Sequence, residues 1–193
     1  MKDIKKNIKK IDLDKESEND TFSNLSAGDI VLACGILFTA RDKAHKFLAG
    51  IKDDKGISKA GKDYEFLDEI RGSVIYHCGP LVKKTGSTYR VISAGPTTSA
   101  RMNKFIPDII GNFNIRAIIG KGGVDERSRQ AMRGRCVYLI LTGGCGALAA
   151  GCMEVIDVYL TGFGMPEAVW KIKVREMPLM VGIDIKGNSL FDR

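Results

Sequence analysis

Residues 30–49, IVLACGILFTARDKAHKFLA, decide the class of fold. Ile30–Leu37 is an unbroken apolar run of strand length, and over Thr39–Ala49 the residues Ala40, Ala44, Phe47 and Leu48 fall on one side of a helix. A buried strand that passes within two residues into an amphipathic helix is the unit of an α/β fold.

The same reading extends outward. Further strands are expected at Ser73–His77, Tyr89–Ser93, Ile115–Ile119, Val137–Leu141, Val155–Leu160, Lys171–Val174 and Val181–Ile185, and helices at Thr98–Gly111 and Asp125–Arg133. Strands outnumber helices, which predicts a mixed sheet with few covering helices. The segment 52–62, KDDKGISKAGK, reads as a surface loop or insertion. Residues 1–20 are charged and poor in aromatics, a tail or an edge element, so the expected division is a charged N-terminal extension over 1–27 and one domain over 28–193.

Composition bounds the function. With 44% hydrophobic and 27% charged residues in 193, the chain is long enough to bury a core and has the balance of a globular protein. Its formal charge of +7 invites a nucleic-acid partner. Much of that excess, however, is Lys2, Lys5, Lys6, Lys9 and Lys10, and no basic patch is interleaved with aromatics, so a small anionic substrate explains the bias as well and no nucleic acid is expected. Cys34, Cys78, Cys136, Cys145 and Cys152 are odd in number, form no CxxC pair and match no ferredoxin-type spacing, which favours reduced, inert thiols in a cytoplasmic protein and no metal held by this chain. The opening MKDIKKNIKK is not followed by the apolar segment of a signal peptide. The uncharged stretch Cys136–Met153 just reaches membrane-spanning length, but Gly143, Gly144, Gly146 and Gly151 break it into a strand and a small-residue turn, so no membrane partner is expected.

Three strand-to-loop transitions look like anion sites, where a helix start offers unpaired N–H groups close to a cation. In residues 38–45, FTARDKAH, Thr39 can cap the helix, with Arg41 and His45 four residues apart on one face; taken alone, the stretch reads better as an ordinary capped helix with a surface Arg. In residues 93–101, SAGPTTSAR, Gly95-Pro96 forces a sharp exit, the hydroxyls of Thr97, Thr98 and Ser99 follow, and Arg101 closes the first turn, a cradle for carboxylate or phosphate. In residues 118–123, IIGKGG, Lys121 sits between glycines without the Gly-Lys-Ser/Thr pairing of a nucleotide loop. His77, beside Cys78, reads as a hydrogen-bonded structural residue or a wall of the site.

The motifs TARDKAH at 39–45, YHCGPLVKK at 76–84, GPTTSARM at 95–102, IIGKGG at 118–123 and MPEAVWKIKV at 165–174 resemble, in order, the C-terminal domain of class I fumarases and the β subunit of L-tartrate dehydratase. The resemblance runs from about Gly28 to the end. It implies a swivelling β/β/α-type domain and a hydro-lyase of the tricarboxylic acid cycle type, hydrating fumarate reversibly to malate; dehydration of tartrate to oxaloacetate is the alternative. It further implies a [4Fe–4S] cluster bound by a partner α subunit and not by this chain, a heteromer of αβ or (αβ)2 form, and a small dicarboxylate substrate. By matching position, Arg41 and Arg101 would bind substrate carboxylates, with Thr98 beside them, Lys121 would hold a carboxylate and take part in catalysis, and Thr97 would be the candidate base. A hydroxyl is a weak base, so Thr97 would need activation by Lys121 and nearby donors. The 52–62 segment and the basic tail are longer than the family pattern and touch none of these residues. From a different class, a non-catalytic module binding anions or nucleic acid also accommodates the charge and the three cradles.

Overall fold

The computed structural model of the protein describes residues 8–14, 21–51 and 62–192. Among these, nine strands and five α-helices follow in the order β1 (Ile8–Asp12), β2 (Ile30–Thr39), α1 (Asp42–Ala49), α2 (Lys62–Glu69), β3 (Val74–Tyr76), β4 (Leu81–Thr85), β5 (Thr88–Ser93), α3 (Ile106–Phe113), β6 (Ala117–Gly120), α4 (Glu126–Met132), β7 (Val137–Ile140), α5 (Gly146–Ala150), β8 (Met153–Tyr159) and β9 (Val169–Ile183). Short 3₁₀ turns occupy Ser99–Met102 and Thr161–Phe163.

The main sheet has the order β1-β2-β3-β6-β7-β9-β8, with β1, β2, β3, β6 and β7 parallel and β9 antiparallel to its neighbours. β9 also pairs antiparallel with β2, so β2, β3, β6, β7 and β9 close into a ring. β4 and β5 form a separate hairpin.

Period-2 alternation sorts the side chains into two cores. Val74 and Tyr76, Ala117 and Ile119, Val137 and Leu139 point into one, with Trp170, Ile172 and Val174 from β9 and Val91 and Ala149 from the hairpin and α5. Ile75, Ile118 and Tyr138, the residues between, face the other, against Leu48 of α1, Phe66 of α2, Ile109 and Phe113 of α3 and Met132 of α4. The result is a strand-strand-helix layering with a strand excess, the mixed sheet with few helices that the sequence predicts.

Several expectations are corrected. The boundary at 27/28 does not separate a tail from a core: Ile8–Asp12 pairs with Ile30–Cys34, and Ile11, Leu13, Phe22 and Leu25 are buried in the first core. The two C-terminal strands are one strand of 15 residues, because Glu176, which adopts positive φ, is absorbed at a bulge where the β2–β9 register shifts between Ala33 and Gly35, and Pro178 beside it keeps its pairing with Leu32. The helix expected at Thr98–Gly111 is a 3₁₀ turn followed by α3. Residues 52–61 of the expected loop lie outside the described residues, and Lys62 begins α2, which the sequence did not signal. Residues 136–153 form β7, a turn, α5 and the start of β8, and no helix among the described residues is long and apolar enough to cross a membrane.

Candidate active site

The parallel strands β2, β3 and β6 are neighbours, so their carboxyl ends open on one edge, the usual ligand-binding edge of such sheets. The chain leaves β2 into Ala40-Arg41, β3 into His77-Cys78-Gly79, and β6 into Lys121. The segment after β5 then threads between the last two. Pro96 bridges Cys78, the Thr97 amide donates to the His77 carbonyl at 2.7 Å, Thr98 forms a parallel bridge with Lys121, and the Ser99 amide donates to the Lys121 carbonyl at 3.1 Å. Residues 96–99 thus act as one more short strand along the edge. Arg41, Lys121 and the segment that carries Thr97, Thr98 and Arg101 are brought from separate parts of the chain to the same edge.

Arg41 precedes α1 and lies across Gly79: a Cβ there would overlap Arg41 Cδ and the Pro166 carbonyl. Thr39 is not the helix cap. It ends β2, is fully buried, and its hydroxyl accepts from the Trp170 amide at 3.1 Å. The exposed amide of Lys43 is instead met by Glu167 Oε2 at 2.9 Å, and Glu167 Oε1 lies 3.5 Å from Arg41 Nε. Arg101 is ion-paired with Asp42 Oδ2, which also stands 3.9 Å from Arg41. The edge therefore holds three cations and two carboxylates, Asp42 and Glu167. The sequence reading passed over both acids; their signals were an acid in the first turn of a helix and the Glu of the MPEAVW motif.

The site is open: the side chains of Arg41 and Arg101 are 27% and 46% exposed. Lys121 is half-buried with its ammonium over Gly143, where a Cβ would stand 3.8 Å from Nζ. A groove of about 370 Å³ between Ile30, Leu148 and Met180 is apolar and includes none of the five residues, and it is strand-end geometry and charge that mark the site.

Beneath the edge lies a buried polar cluster. His77 Nδ1 is 2.9 Å from Ser99 Oγ, and Tyr138 Oη is 2.7 Å from Ser99 Oγ and 2.9 Å from the Gly122 carbonyl. His45 Nδ1 meets the Arg41 carbonyl at 2.9 Å, and its ring stands edge-on to His77 with centroids 4.7 Å apart. Burial lowers the pKa of both imidazoles, His45 to about 4 and His77 well below its ordinary value, so both are neutral at pH 7; burial pushes the Tyr138 hydroxyl up to about 12. Among the described residues, the buried side-chain nitrogens without a hydrogen bond are Arg41 Nε and His77 Nε2, both here. Arg41 Nε faces Glu167 Oε1 at 3.5 Å, which leaves the His77 nitrogen as the one that packing does not explain.

Among the described residues no three His, Cys, Asp or Glu side chains gather as ligands, and burial raises the Cys78 thiol to about 12 and Cys136 higher still.

Comparison with known proteins gives the context. A family model described as fumarase C-terminus matches residues 1–193. The chain is 39% identical over 173 residues to a putative L(+)-tartrate dehydratase subunit beta of Methanocaldococcus jannaschii, covering 87% of this chain and 84% of that protein. It is 33% identical over 174 residues to L(+)-tartrate dehydratase subunit beta of Escherichia coli K12, covering 89% and 81%. Over 171 residues it is 37% identical to a putative fumarate hydratase class I of Geobacillus stearothermophilus, covering 87% of this chain but only 31% of that longer protein. The chain belongs to the fumarase C-terminus family.

Proposed function

We propose that the protein is the β subunit of a hydro-lyase, cytoplasmic and inactive alone, which hydrates fumarate reversibly to malate at a site completed by a cluster-bearing α subunit. The observation that carries this reading is the convergence of Arg41, Arg101 and Lys121 with Thr97 and Thr98 on one open strand edge, bound together by the Thr98–Lys121 bridge. Fumarate and malate are dianions, and two guanidinium forks with one ammonium match two carboxylates.

In the dehydration direction the C3 proton of malate leaves, the adjacent carboxylate takes up the electron pair as an aci-carboxylate, and hydroxide departs from C2. Arg41 and Arg101 would orient the carboxylates, and Lys121 would stabilise the charge that develops on one of them. Thr97, half-buried at the mouth of the β3 edge, would take the proton as its alkoxide and return to a hydroxyl, its own proton having first passed to solvent and the Lys121 ammonium stabilising the alkoxide in between. An iron–sulfur cluster held by the partner would supply a Lewis acid for the leaving hydroxyl.

A second reading, dehydration of tartrate to oxaloacetate, is favoured by the near full-length match to two proteins named as tartrate dehydratase β subunits. Both readings need a partner: the Geobacillus relative carries the remainder of its length in the same chain. The test is to co-purify the chain with a larger cysteine-bearing partner and to assay the complex anaerobically with fumarate, mesaconate and both tartrate enantiomers. Turnover of fumarate by the chain alone, after reconstitution with iron and sulfide, would overturn the two-subunit reading.

A further inference from the structure

We infer that His77, Ser99 and Tyr138 are positioning residues: the hydrogen-bonded chain they form beneath the strand edge holds Thr97 and Thr98 against Lys121, and His45 ties that unit to Arg41. The kinetic consequence rests on the hydro-lyase reading, whereas the geometry stands without it.

All four side chains are 0–1% exposed, so none can touch a substrate in this fold. Three polar atoms from three separate segments converge on the bare Cα of Gly120. A Cβ there would overlap Ser99 Oγ, stand 2.8 Å from Tyr138 Oη and 3.3 Å from His77 Nδ1. Gly120 is the residue immediately before Lys121, so the cluster is fastened directly under the ammonium-bearing residue. On its other side it holds the threonines. The His77 carbonyl accepts from the Thr97 amide, and the Ser99 amide donates to the Lys121 carbonyl.

Packing alone does not account for this cluster. Apolar residues of similar shape would fill the space without leaving His77 Nε2 buried and unpartnered, and a buried polar chain specifies one arrangement where an apolar contact tolerates several. What it specifies here is the relative placement of residues 97–99 and 121.

The test uses Tyr138→Phe and Ser99→Ala, which remove single oxygens, and the pair His77→Leu and His77→Asn, of which only Asn can place a polar atom near the Nδ1 position. Amide exchange measured by NMR on the 193-residue chain should quicken about tenfold or more at Thr97 and Ser99, while the Ala40 amide, bonded to the Tyr76 carbonyl at 2.9 Å, stays unchanged. In the assembled complex kcat should fall on the order of 10- to 100-fold, the cost of a misplaced catalytic group, with His77→Asn retaining more activity than His77→Leu. Unchanged exchange and kcat with a lowered melting temperature would overturn the inference and leave only a packing role. Equal loss in His77→Asn and His77→Leu would also overturn it. Faster exchange at the two amides, in a protein whose wild-type complex turns over no dicarboxylate, would uphold the clamp and reject the hydro-lyase reading instead.

Discussion

The guanidinium groups of Arg41 and Arg101 converge on one carboxylate, that of Asp42, in the first turn of α1. A dicarboxylate entering the edge competes with that internal acid. Asp42→Asn removes the competitor while keeping the side chain's shape, and KM for the dicarboxylate is expected to fall about 2- to 5-fold, since a half-exposed ion pair is worth up to ~1 kcal/mol. Steady-state kinetics of the assembled complex checks this; a raised KM would show that Asp42 holds the arginines in their working positions.

Replacing Arg101 by Lys keeps the charge and loses the planar fork. A loss of about 1.5–3 kcal/mol in kcat/KM is expected if the guanidinium makes a bidentate carboxylate contact. Near-normal kcat/KM would mean that Arg101 serves only Asp42.

Thr97→Ala should lower kcat by ~10²–10⁴ with little change in KM, the usual share of a general base. A capping role predicts lost stability instead, but the N-cap of the 3₁₀ turn that follows is Thr98, no side chain caps it, and the contact that Thr97 makes with His77 is through its backbone amide. The melting temperature should therefore stay within the range of ordinary surface changes. A mutant with wild-type kcat would move the base to Thr98 or to the partner.

Gly79→Ala puts a methyl group where Arg41 Cδ and the Pro166 carbonyl now lie. The carbonyl belongs to the backbone, so the arginine gives way. KM should rise about 10-fold or more, as for the loss of a hydrogen bond to a charged group, and kcat should change less. Isothermal titration with a dicarboxylate inhibitor distinguishes this from a folding defect.

Stability should fall in mild acid. His45 has an ordinary pKa of 6.5 and is lowered to about 4 by burial, so between those values the unfolded chain binds a proton that the folded chain refuses. The stability present above pH 6.5 is lost progressively down to about pH 4, by about 3 kcal/mol for His45, and His77 acts in the same direction. Asp29, held down by Lys9, and Asp125, held down by Ser128, add their losses only below this window, near and under 3.8. Denaturant melts between pH 7.5 and pH 4.5 measure the slope, and a flat profile would mean that water reaches the imidazoles.

The strand ends were legible in the sequence because each is local: an apolar run, a glycine or proline exit, then a cation. The runs ending near Phe38, Ser93 and Ile119 delivered Arg41, then Thr97, Thr98 and Arg101, then Lys121 to one edge. What escaped the reading is what only folding brings together. Glu167 reaches Lys43 and Arg41 from more than a hundred residues away, and no local pattern announces that pairing. β1 was hidden by its lysines, which lie along an exposed edge strand while Ile11 alone of its residues is buried. β9 was divided at Glu176 and Pro178, since a proline within a strand is ordinarily a stop signal and here sits beside a bulge.

The closure of the ring by β9 sets the order in which this molecule can be made. β9 comes last in chain order among the described strands, so Ile30 of β2 and Met180 must find each other across a long stretch of sequence. Until then β2 and β7 both present unpaired edges, the surfaces on which nascent chains stick to one another. Loop closure on this scale is slow, and the sheet stays open until β9 has docked. β9, last in chain order among the described strands, is the one that covers the open edges of β2 and β7.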